Sequence, residues 1–408
     1  MSATDRAEFF RRYADVAVRV GANVQPGQSV FMLGTVEHVP LMRELGRAAW
    51  EAGAGDVQLV YSDQYDRYLL ARYGAEENLE RAPIGLRAAV ELALEHQGAS
   101  VSVFGDEAPA YFGDVDPSRI ARTRAKEIME LGQRLMNENL DAWTVIAYPE
   151  ASWAERVFGT PDVDRLIAEI AFACRLDEPD PVASWREHLD RLQARAAALD
   201  ERGIDRLHVR GPGTDLTVGL LPGSRWIAAR STTQWGQSHC VNLPTEEVFT
   251  TPDCRRTEGT LRATRAIAVE GVLVEGIALR FTGGRIVEAT ARAGEEFLRQ
   301  HLETDEGAAR LGEVALVAGS RVGARELLFY NTLFDENATS HVAYGMAYTA
   351  PVEGAGALDA DAQLERGINQ STVHVDFPIG GAGVEITGVG RNGDTIRILD
   401  GDDWLLGE

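Results

Sequence analysis

The sequence is poor in cysteine and has no long hydrophobic run. Only three of its 408 residues are cysteines, and none form a CxxC pair, which excludes a zinc ribbon or a thioredoxin-like redox site. A disulfide between Cys240 and Cys254 stays open, although a reducing compartment is the simpler interpretation. No apolar stretch approaches the roughly 18 residues of a membrane-spanning helix, and the N-terminus lacks a signal-peptide core. We therefore expect a soluble, cytoplasmic protein without a membrane partner.

The sequence is also short of positive charge. Forty basic residues against sixty-three acidic ones give a formal net charge of −23, and such a surface repels the phosphates of nucleic acids, so we expect no nucleic-acid partner. The hydrophobic share of 45% and the charged share of 25% are ordinary for a globular protein. At roughly 150 residues per domain, the length predicts two domains, or three small ones.

The order of the hydrophobic segments predicts an α/β fold with a boundary near residue 200. In residues 1–200, short apolar strands alternate with helical patterns, which favours a largely parallel, helix-covered sheet; the predicted strands are 30–33, 56–61, 99–105 and 142–148. No dinucleotide or phosphate-loop motif accompanies them. In residues 201–408, alternating segments separated by Gly-Pro turns predict a mixed α+β domain, with a helix at 293–311.

Four short segments of the C-terminal half carry residues that can ligate a metal. In TVHVDFPIG, period two places His374 and Asp376 on one face of a strand; a polar sheet face is the alternative. In DENATSH, Asp335, Glu336 and His341 follow an apolar strand, and a helix-capping turn is the alternative. In NLPTEE, two adjacent carboxylates must point in different directions, so that one of them can ligate a metal; a charged turn is the alternative. The last is the glutamate of ARLGEVALV. These carboxylates are Glu246, Glu247 and Glu313.

Taken together, two histidines and several carboxylates form a mixed nitrogen and oxygen ligand set. This set suits Zn, Mn or Co rather than a thiolate site. More than four ligands indicate two ions, with one carboxylate bridging them. The remaining histidines are not part of such a ligand motif and are interpreted as structural or surface residues; they are His38, His96, His188, His208, His239 and His301.

At these segments the chain closely resembles the thermophilic aminopeptidase family of metallopeptidases, of the aminopeptidase T and aminopeptidase S type. The matching stretches lie most densely between residues 211 and 384; they are GPGTDLTVGL, NLPTEEVFTTP, TDEGAARLGEVALV, NTLFDENATSHVAYGMAY and VHVDFPIG. The resemblance implies the metal ligands Glu247, Glu313, Glu336, His341, His374 and Asp376. It further implies that Glu313 bridges both ions and that Tyr348 is catalytic. Phe377-Pro378 depart from the family's usual residues without touching a ligand position.

The resemblance implies a metalloaminopeptidase, a hydrolase that removes the N-terminal residue from short peptides with a free N-terminus. Two divalent ions (Zn, Co, Mn or Mg) would activate a water molecule, and the Tyr348 hydroxyl would stabilise the oxyanion. The general base stays open between Glu313 and Glu246. The family is homodimeric, so a homodimer is expected.

Two other functions stay open. One is a different dinuclear metal hydrolase, such as an amidohydrolase, which would act on substrates without a free amine. The other is a metal-containing small-molecule binding protein, which would retain metal without hydrolysis. A structural zinc site is closed by four ligands, so six candidate ligands and a tyrosine favour catalysis.

Overall fold

A computed structural model of the chain describes residues 3–95, 97–105, 110–123, 125–269 and 271–407; His96 lies outside them. The helices of this part are α1 (Ala3–Val16), α2 (Val39–Glu51), α3 (Gln64–Tyr73), α4 (Ile84–Glu95), α5 (Pro117–Arg122), α6 (Lys126–Asn137), α7 (Ala151–Phe158), α8 (Val163–Ala173), α9 (Pro181–Glu201), α10 (Glu295–Leu302), α11 (Thr332–Asp335) and α12 (Ala360–Arg366).

The strands of the described residues, in chain order, are β1 (Ser29–Thr35), β2 (Asp56–Ser62), β3 (Ala99–Phe104), β4 (Ala142–Ala147), β5 (Ile204–Gly211), β6 (Thr214–Leu220), β7 (Ile227–Ala228), β8 (Arg230–Thr232), β9 (Ser238–Cys240), β10 (Glu247–Thr250), β11 (Pro252–Arg262), β12 (Ile267–Val269), β13 (Val272–Val274), β14 (Ala278–Thr282), β15 (Arg285–Thr290), β16 (Leu311–Val317), β17 (His341–Gly345), β18 (His374–Pro378), β19 (Glu385–Gly390), β20 (Thr395–Asp400) and β21 (Asp403–Trp404).

By their contacts, the residues divide into two compact units. The first comprises 1–186 and 230–243, and the second comprises 187–229 and 244–408. Residues 230–243 therefore group with the first unit although they follow part of the second unit in sequence. The boundary that the sequence predicts, a single cut at residue 200, stays a prediction.

The first unit is built on a parallel sheet. Its described strands run in the order β2-β1-β3-β4, and all three pairings are parallel. Helix α2 follows β1 and buries Leu41, Met42 and Leu45 on one stripe, the spacing of an amphipathic helix. Gly53 then takes a φ of +90°, a left-handed conformation that suits glycine after a helix end. The predicted α/β class is confirmed.

The second unit contains two larger antiparallel sheets in its described part. One has the strand order β15-β14-β11-β6-β5-β19-β20-β21, and the other has the order β18-β17-β16-β10-β7. The turn between β5 and β6 is made by Pro212 and Gly213, with Gly213 at a φ of +79°. All seven residues of β16 are buried, so this strand forms the centre of the smaller sheet.

The helix predicted at 293–311 is too long, since α10 ends at Leu302. The chain turns at Asp305, whose carboxylate accepts hydrogen bonds from the backbone N–H groups of Gly307 and Ala308. An aspartate that binds nearby backbone amides in this way competes with helix formation. A Cβ on Gly307 would lie 1.8 Å from the Gln370 carbonyl oxygen, so the chain approaches another segment too closely for a larger residue.

Cys174, Cys240 and Cys254 are buried and none of them is disulfide-bonded, so the disulfide between Cys240 and Cys254 is not formed. None of the helices in the described ranges is long and apolar enough to cross a bilayer.

Candidate metal centre

Four neighbouring strands of the five-stranded sheet present most of the predicted ligands. Glu313 on β16 and Asp376 on β18 both pair with Ala343 on β17. Directly opposed residues point to the same face of a sheet, so these two carboxylates share a face across a small alanine. His341 lies two residues before Ala343 on the same face, and Glu247 is opposite Val317. The alternation of side chains along each strand therefore gathers the ligands on one face.

The gathered side chains are in contact distance of each other. His341 Nε2 lies 3.2 Å from Glu247 Oε2, and His374 Nε2 lies 3.2 Å from Glu313 Oε2. Asp376 Oδ1 lies between the two rings, 3.4 Å from His374 Nε2 and 3.8 Å from His341 Nε2. These residues form two groups of three, and Glu313 belongs to both. The groups are Glu247, Glu313 and His341, and Glu313, His374 and Asp376.

Each histidine is oriented through its other ring nitrogen. His374 Nδ1 lies 2.8 Å from the Met346 carbonyl oxygen, and His341 Nδ1 lies 3.3 Å from the Thr339 carbonyl oxygen. A carbonyl only accepts, so Nδ1 carries the proton in both rings. Nε2 therefore faces the carboxylates, which is the tautomer and orientation of a metal-ligating histidine.

The burial of the carboxylates favours cations in this cluster. Glu247 Oε2 and Asp376 Oδ1 are buried and accept no hydrogen bond from the described residues. Burial and repulsion from Glu313 raise the pKa of Glu247 well above its ordinary value, against the attraction of His341. A buried carboxylate without a donor needs a proton or a cation. The residues present therefore fit divalent metal ions.

Glu336 stands beside these groups. It begins a short 3₁₀ helix, Glu336–Ala338, and burial together with the charges of Asp376 and Glu313 raises its pKa well above the usual value. Its neighbour Asp335 is occupied otherwise, because the carboxylate accepts hydrogen bonds from the backbone of Phe329 and Asn331 at 2.7 and 3.0 Å. Asp335 therefore shapes the loop, whereas Glu336 belongs to neither group of three but is close enough to Asp376 and Glu313 for their charges to affect it.

The adjacent glutamates of the PTEE segment have different surroundings, as predicted. Glu247 joins the cluster, whereas Glu246 is 1% exposed and its Oε2 lies 3.4 Å from His188 Nε2 on α9. The Glu246 N–H donates to Asn337 Oδ1 at 2.7 Å, and Asn337 Nδ2 donates to Glu336 Oε1 at 3.3 Å. Asn337, which lies in the DENATSH segment, thus connects the two ligand-bearing segments.

Tyr348 follows β17 and faces the cluster. Its ring centroid lies 5.0 Å from that of His374 and 5.7 Å from that of Phe249. The residue exposes 40% of its surface, while its carbonyl oxygen accepts a hydrogen bond from Thr251 Oγ1 at 2.6 Å. Desolvation and the charges of Glu313 and Asp376 raise the pKa of the phenol well above its ordinary value. The hydroxyl is therefore protonated at neutral pH and can donate a hydrogen bond.

A cavity of about 340 Å³ adjoins the cluster. His301 lines it, although the sequence gave no reason to place this histidine near the site, and its Nδ1 lies 3.0 Å from the Tyr344 hydroxyl. Other lining residues are Ile267, Ala268, Val269, Thr332, Asp335, Glu336, His341, Thr372, Val373, His374, Val375, Asp376 and Pro378. His301 lies on a separate helix, so no local motif connects it with the ligands.

Comparisons with known proteins agree with these features. The family model of the thermophilic metalloprotease (M29) matches residues 7–404. Aminopeptidase T of Thermus aquaticus is 39% identical over 406 residues, covering 98% of this chain and 99% of that protein. Aminopeptidase 2 of Geobacillus stearothermophilus is 38% identical over 403 residues, covering 97% of each.

A solved structure extends the likeness to the backbone. Wild-type AmpT from Thermus thermophilus has a TM-score of 0.89 and 36% identity, and the match covers 99% of this chain and 100% of that one. The resemblance inferred from the motifs is thereby confirmed, and so is the expectation of a hydrolase of the metalloaminopeptidase class. The chain belongs to the M29 family of thermophilic metalloproteases.

Proposed function

We propose that this metalloaminopeptidase removes the N-terminal residue from short peptides with the help of two divalent cations. The observation that carries the proposal is the pair of three-residue ligand groups that share Glu313 and adjoin an open cavity. We assign the cations to Glu247, Glu313, Glu336, His341, His374 and Asp376. Zn, Co, Mn and Mg all accept such oxygen and nitrogen ligands, so metal availability decides among them.

When bound, a pair of divalent cations supplies Lewis acidity toward a carbonyl and a nucleophile derived from water. The chain's own residues then have separate tasks. Glu336 lines the cavity where the N-terminal amine of a peptide would enter, and its carboxylate can accept a hydrogen bond from that amine. The protonated hydroxyl of Tyr348 donates a hydrogen bond to the oxygen that becomes negative during attack on the peptide carbonyl.

The surroundings of the two glutamates favour Glu313 over Glu246 as the group that accepts the proton. Glu313 is 4% exposed, and its Oε2 faces His374 within the cluster. Glu246 contacts His188 instead and belongs to neither ligand group. A general base must lie within hydrogen-bond reach of the proton that it removes, so we assign this role to Glu313.

Two further parts of the proposal concern assembly and location. We propose a homodimer, which the family resemblance implies, and we propose that it acts in the cytoplasm, which the few cysteines favour. Size-exclusion chromatography with light scattering should give twice the mass of the 44.4 kDa chain. A mass near that of a single chain would contradict the dimer and leave the catalytic proposal intact.

The direct test is hydrolysis of aminoacyl p-nitroanilides after chelation with EDTA and after addition of Zn, Co, Mn or Mg. We expect activity that disappears with chelation, returns with metal and is absent on N-acetylated substrates. Hydrolysis of the acetylated substrates would favour another dinuclear hydrolase. Two bound ions per chain without hydrolysis of any substrate would favour a metal-containing binding protein.

A further inference from the structure

The strand that carries two of the proposed ligands is at an edge of its sheet. In the described part of the chain, β18 ends the order β18-β17-β16-β10-β7, so only β17 pairs with it. An edge strand presents a row of unpaired N–H and C=O groups on its outer side. For β18, this outer side begins at residues that also belong to the metal centre, namely His374 and Asp376.

The register shows which backbone groups point outward. Met346 N donates to Val373 O at 2.7 Å, and Ile379 N donates to Ser340 O at 2.8 Å. In an antiparallel pair, hydrogen-bonded and non-hydrogen-bonded positions alternate. Val373, Val375 and Phe377 therefore direct their backbone groups toward β17, whereas His374 and Asp376 direct theirs away from it.

The outward C=O groups of both residues and the N–H of His374 have no recorded protein hydrogen bond in the part of the chain that the structure describes, whereas the N–H of Asp376 is directed to its own carboxylate. Neither the N–H nor the C=O of His374 or Asp376 takes part in a backbone hydrogen bond beyond the strand pairing, whereas the next outward carbonyl, that of Pro378, accepts from Thr264 N at 2.9 Å. Half-buried backbone groups require a partner, either water or a ligand. The free part of the edge thus consists of two residues.

The cavity runs along this same edge. Residues 372–376 and 378 line one side, and Ile267, Ala268 and Val269 of β12 line the other. Its volume of about 340 Å³ lies within the range of sites that hold small ligands. The apolar side chains of β12 and β18 supply walls for peptide side chains, and the free backbone groups supply hydrogen bonds.

We propose that the main chain of the peptide substrate, beyond the bond to be cleaved, pairs with the free edge of β18 at His374 and Asp376. This inference rests on the proposed function and adds the mode of substrate binding. Adding a strand to an exposed sheet edge is a general way of binding extended peptides, with affinity from the main chain and selectivity from alternate side chains. Since the ligands and the edge belong to the same two residues, pairing fixes the peptide relative to the metal centre.

The pairing predicts an alternation along the substrate. Successive N–H groups of an extended chain point to opposite sides, so only one of two consecutive amides faces β18. In the pentapeptide Leu-Ala-Ala-Ala-Ala, we compare N-methylation of residue 3 with N-methylation of residue 4. One of the two should lower kcat/KM at least about tenfold, because a hydrogen bond is lost and its partner is left unsatisfied. The other should have little effect.

Calorimetric titration of the same peptides separates this inference from the proposed function. Hydrolysis of the parent peptide with equal effects of both methylations, or with none, would overturn the edge pairing alone. A protein that hydrolyses no peptide but shows the alternation in Kd would keep the pairing and overturn the proposed function. Absence of both hydrolysis and alternation would overturn both.

A variant of the cavity wall gives a second test in the protein itself. Val269→Trp on β12 fills the cavity opposite the free edge, and it should weaken pentapeptide binding at least about tenfold while metal content stays unchanged. The matched control is Val287→Trp on β15, where the parent valine is 46% exposed and does not line the cavity. Equal affinity of the two folded variants for the pentapeptide would contradict the proposal.

Discussion

The first unit contains a histidine and carboxylate pair that resembles the metal centre in composition and distance but differs in chemistry. His38 Nε2 lies 3.1 Å from Glu150 Oε1, close to the 3.2 Å between His374 and Glu313. However, His38 Nδ1 accepts the Thr35 N–H at 3.2 Å, so the one proton of a neutral ring is on Nε2 and satisfies the carboxylate. In His374 both nitrogens face acceptors, and a neutral ring is one proton short.

The comparison shows that the backbone group facing Nδ1 of the imidazole decides whether the histidine and carboxylate pair is structural or binds metal. A backbone N–H completes the His38 pair without any further ion, and a Cβ on Gly105 would lie 2.5 Å from His38 Nε2, which shows how closely the chain packs there. A backbone carbonyl leaves the His374 pair to be completed by an extra proton or by a metal ion. We therefore interpret the first pair as structural and the second as part of the metal centre.

The largest expected effect comes from breaking the ligand that both groups share. Glu313→Gln should lower kcat/KM on the order of 1000-fold or more, since it weakens both cation sites and removes the proposed base. Metal analysis should show fewer than two ions per chain. Glu150→Gln changes the comparable carboxylate of the first unit and should retain both ions and near-normal activity. Equal losses of activity and metal in the two variants would refute the distinction between the two histidine and carboxylate pairs.

Tyr348→Phe should cause the second-largest loss of activity. Loss of a hydrogen-bond donor to the oxyanion costs roughly 100-fold in kcat or more, with little change in metal content. The matched variant is Tyr148→Phe, because the Tyr148 ring lies 4.8 Å from His38 as the Tyr348 ring lies near His374. Steady-state kinetics of both variants should show a fall in kcat for the first only. A Tyr348→Phe protein with unchanged kcat would remove Tyr348 from the mechanism.

Chelation should then affect stability. Ions that bind only the folded protein at 100 times their Kd add about 3 kcal/mol to its stability, so EDTA should lower Tm on the order of 5 °C. Thermal melts at one fixed scan rate, with and without EDTA, would measure this shift. The Glu313→Gln protein should respond much less, whereas His38→Gln should respond like the parent protein. A chelation response that is identical in all three proteins would argue against metal binding at this cluster.

The sequence predicted the metal ligands better than it predicted the residues that surround them. Period two along TVHVDFPIG placed His374 and Asp376 on one face, and Val375 and Phe377 are buried on the other. These are local properties of a strand, as are the divergent directions of Glu246 and Glu247. The contacts of His301, Asn337 and His188 join segments that are distant in sequence, and only strand register and helix packing bring them together. The overlong helix 293–311 failed because a helical pattern does not reveal the competing turn at Asp305.

Asp141 is a buried carboxylate that a proton can neutralise, in contrast to Glu150 and the carboxylates of the metal centre. Its substitution should have the smallest of the expected effects. Asp141 is 1% exposed, Ser100 Oγ donates to its Oδ2, and its Oδ1 accepts no hydrogen bond from the described residues. Burial raises its pKa to about 6. The folded protein therefore holds this proton more tightly than the unfolded chain, whose aspartate has a pKa of about 3.9. Its contribution to stability is full below pH 4, falls as the pH rises toward 6, and is constant above about pH 7.

Asp141→Asn removes this titration, so the variant should gain stability relative to the parent protein as the pH rises from 4 to 7. A shift of about two pKa units corresponds to at most about 3 kcal/mol, and relaxation around the site makes the gain smaller. Urea unfolding at pH 4.5, 6 and 7.5 measures it, with Asp200→Asn as a less buried comparison. Metal content should stay the same at pH 7.5, since Asp141 belongs to neither group of metal-ligating residues. A stability difference that does not change with pH would show that Asp141 is ionised in the folded protein throughout. In that case Asp141 would resemble Glu150, which contacts a ring N–H of His38, rather than the carboxylates of the metal centre.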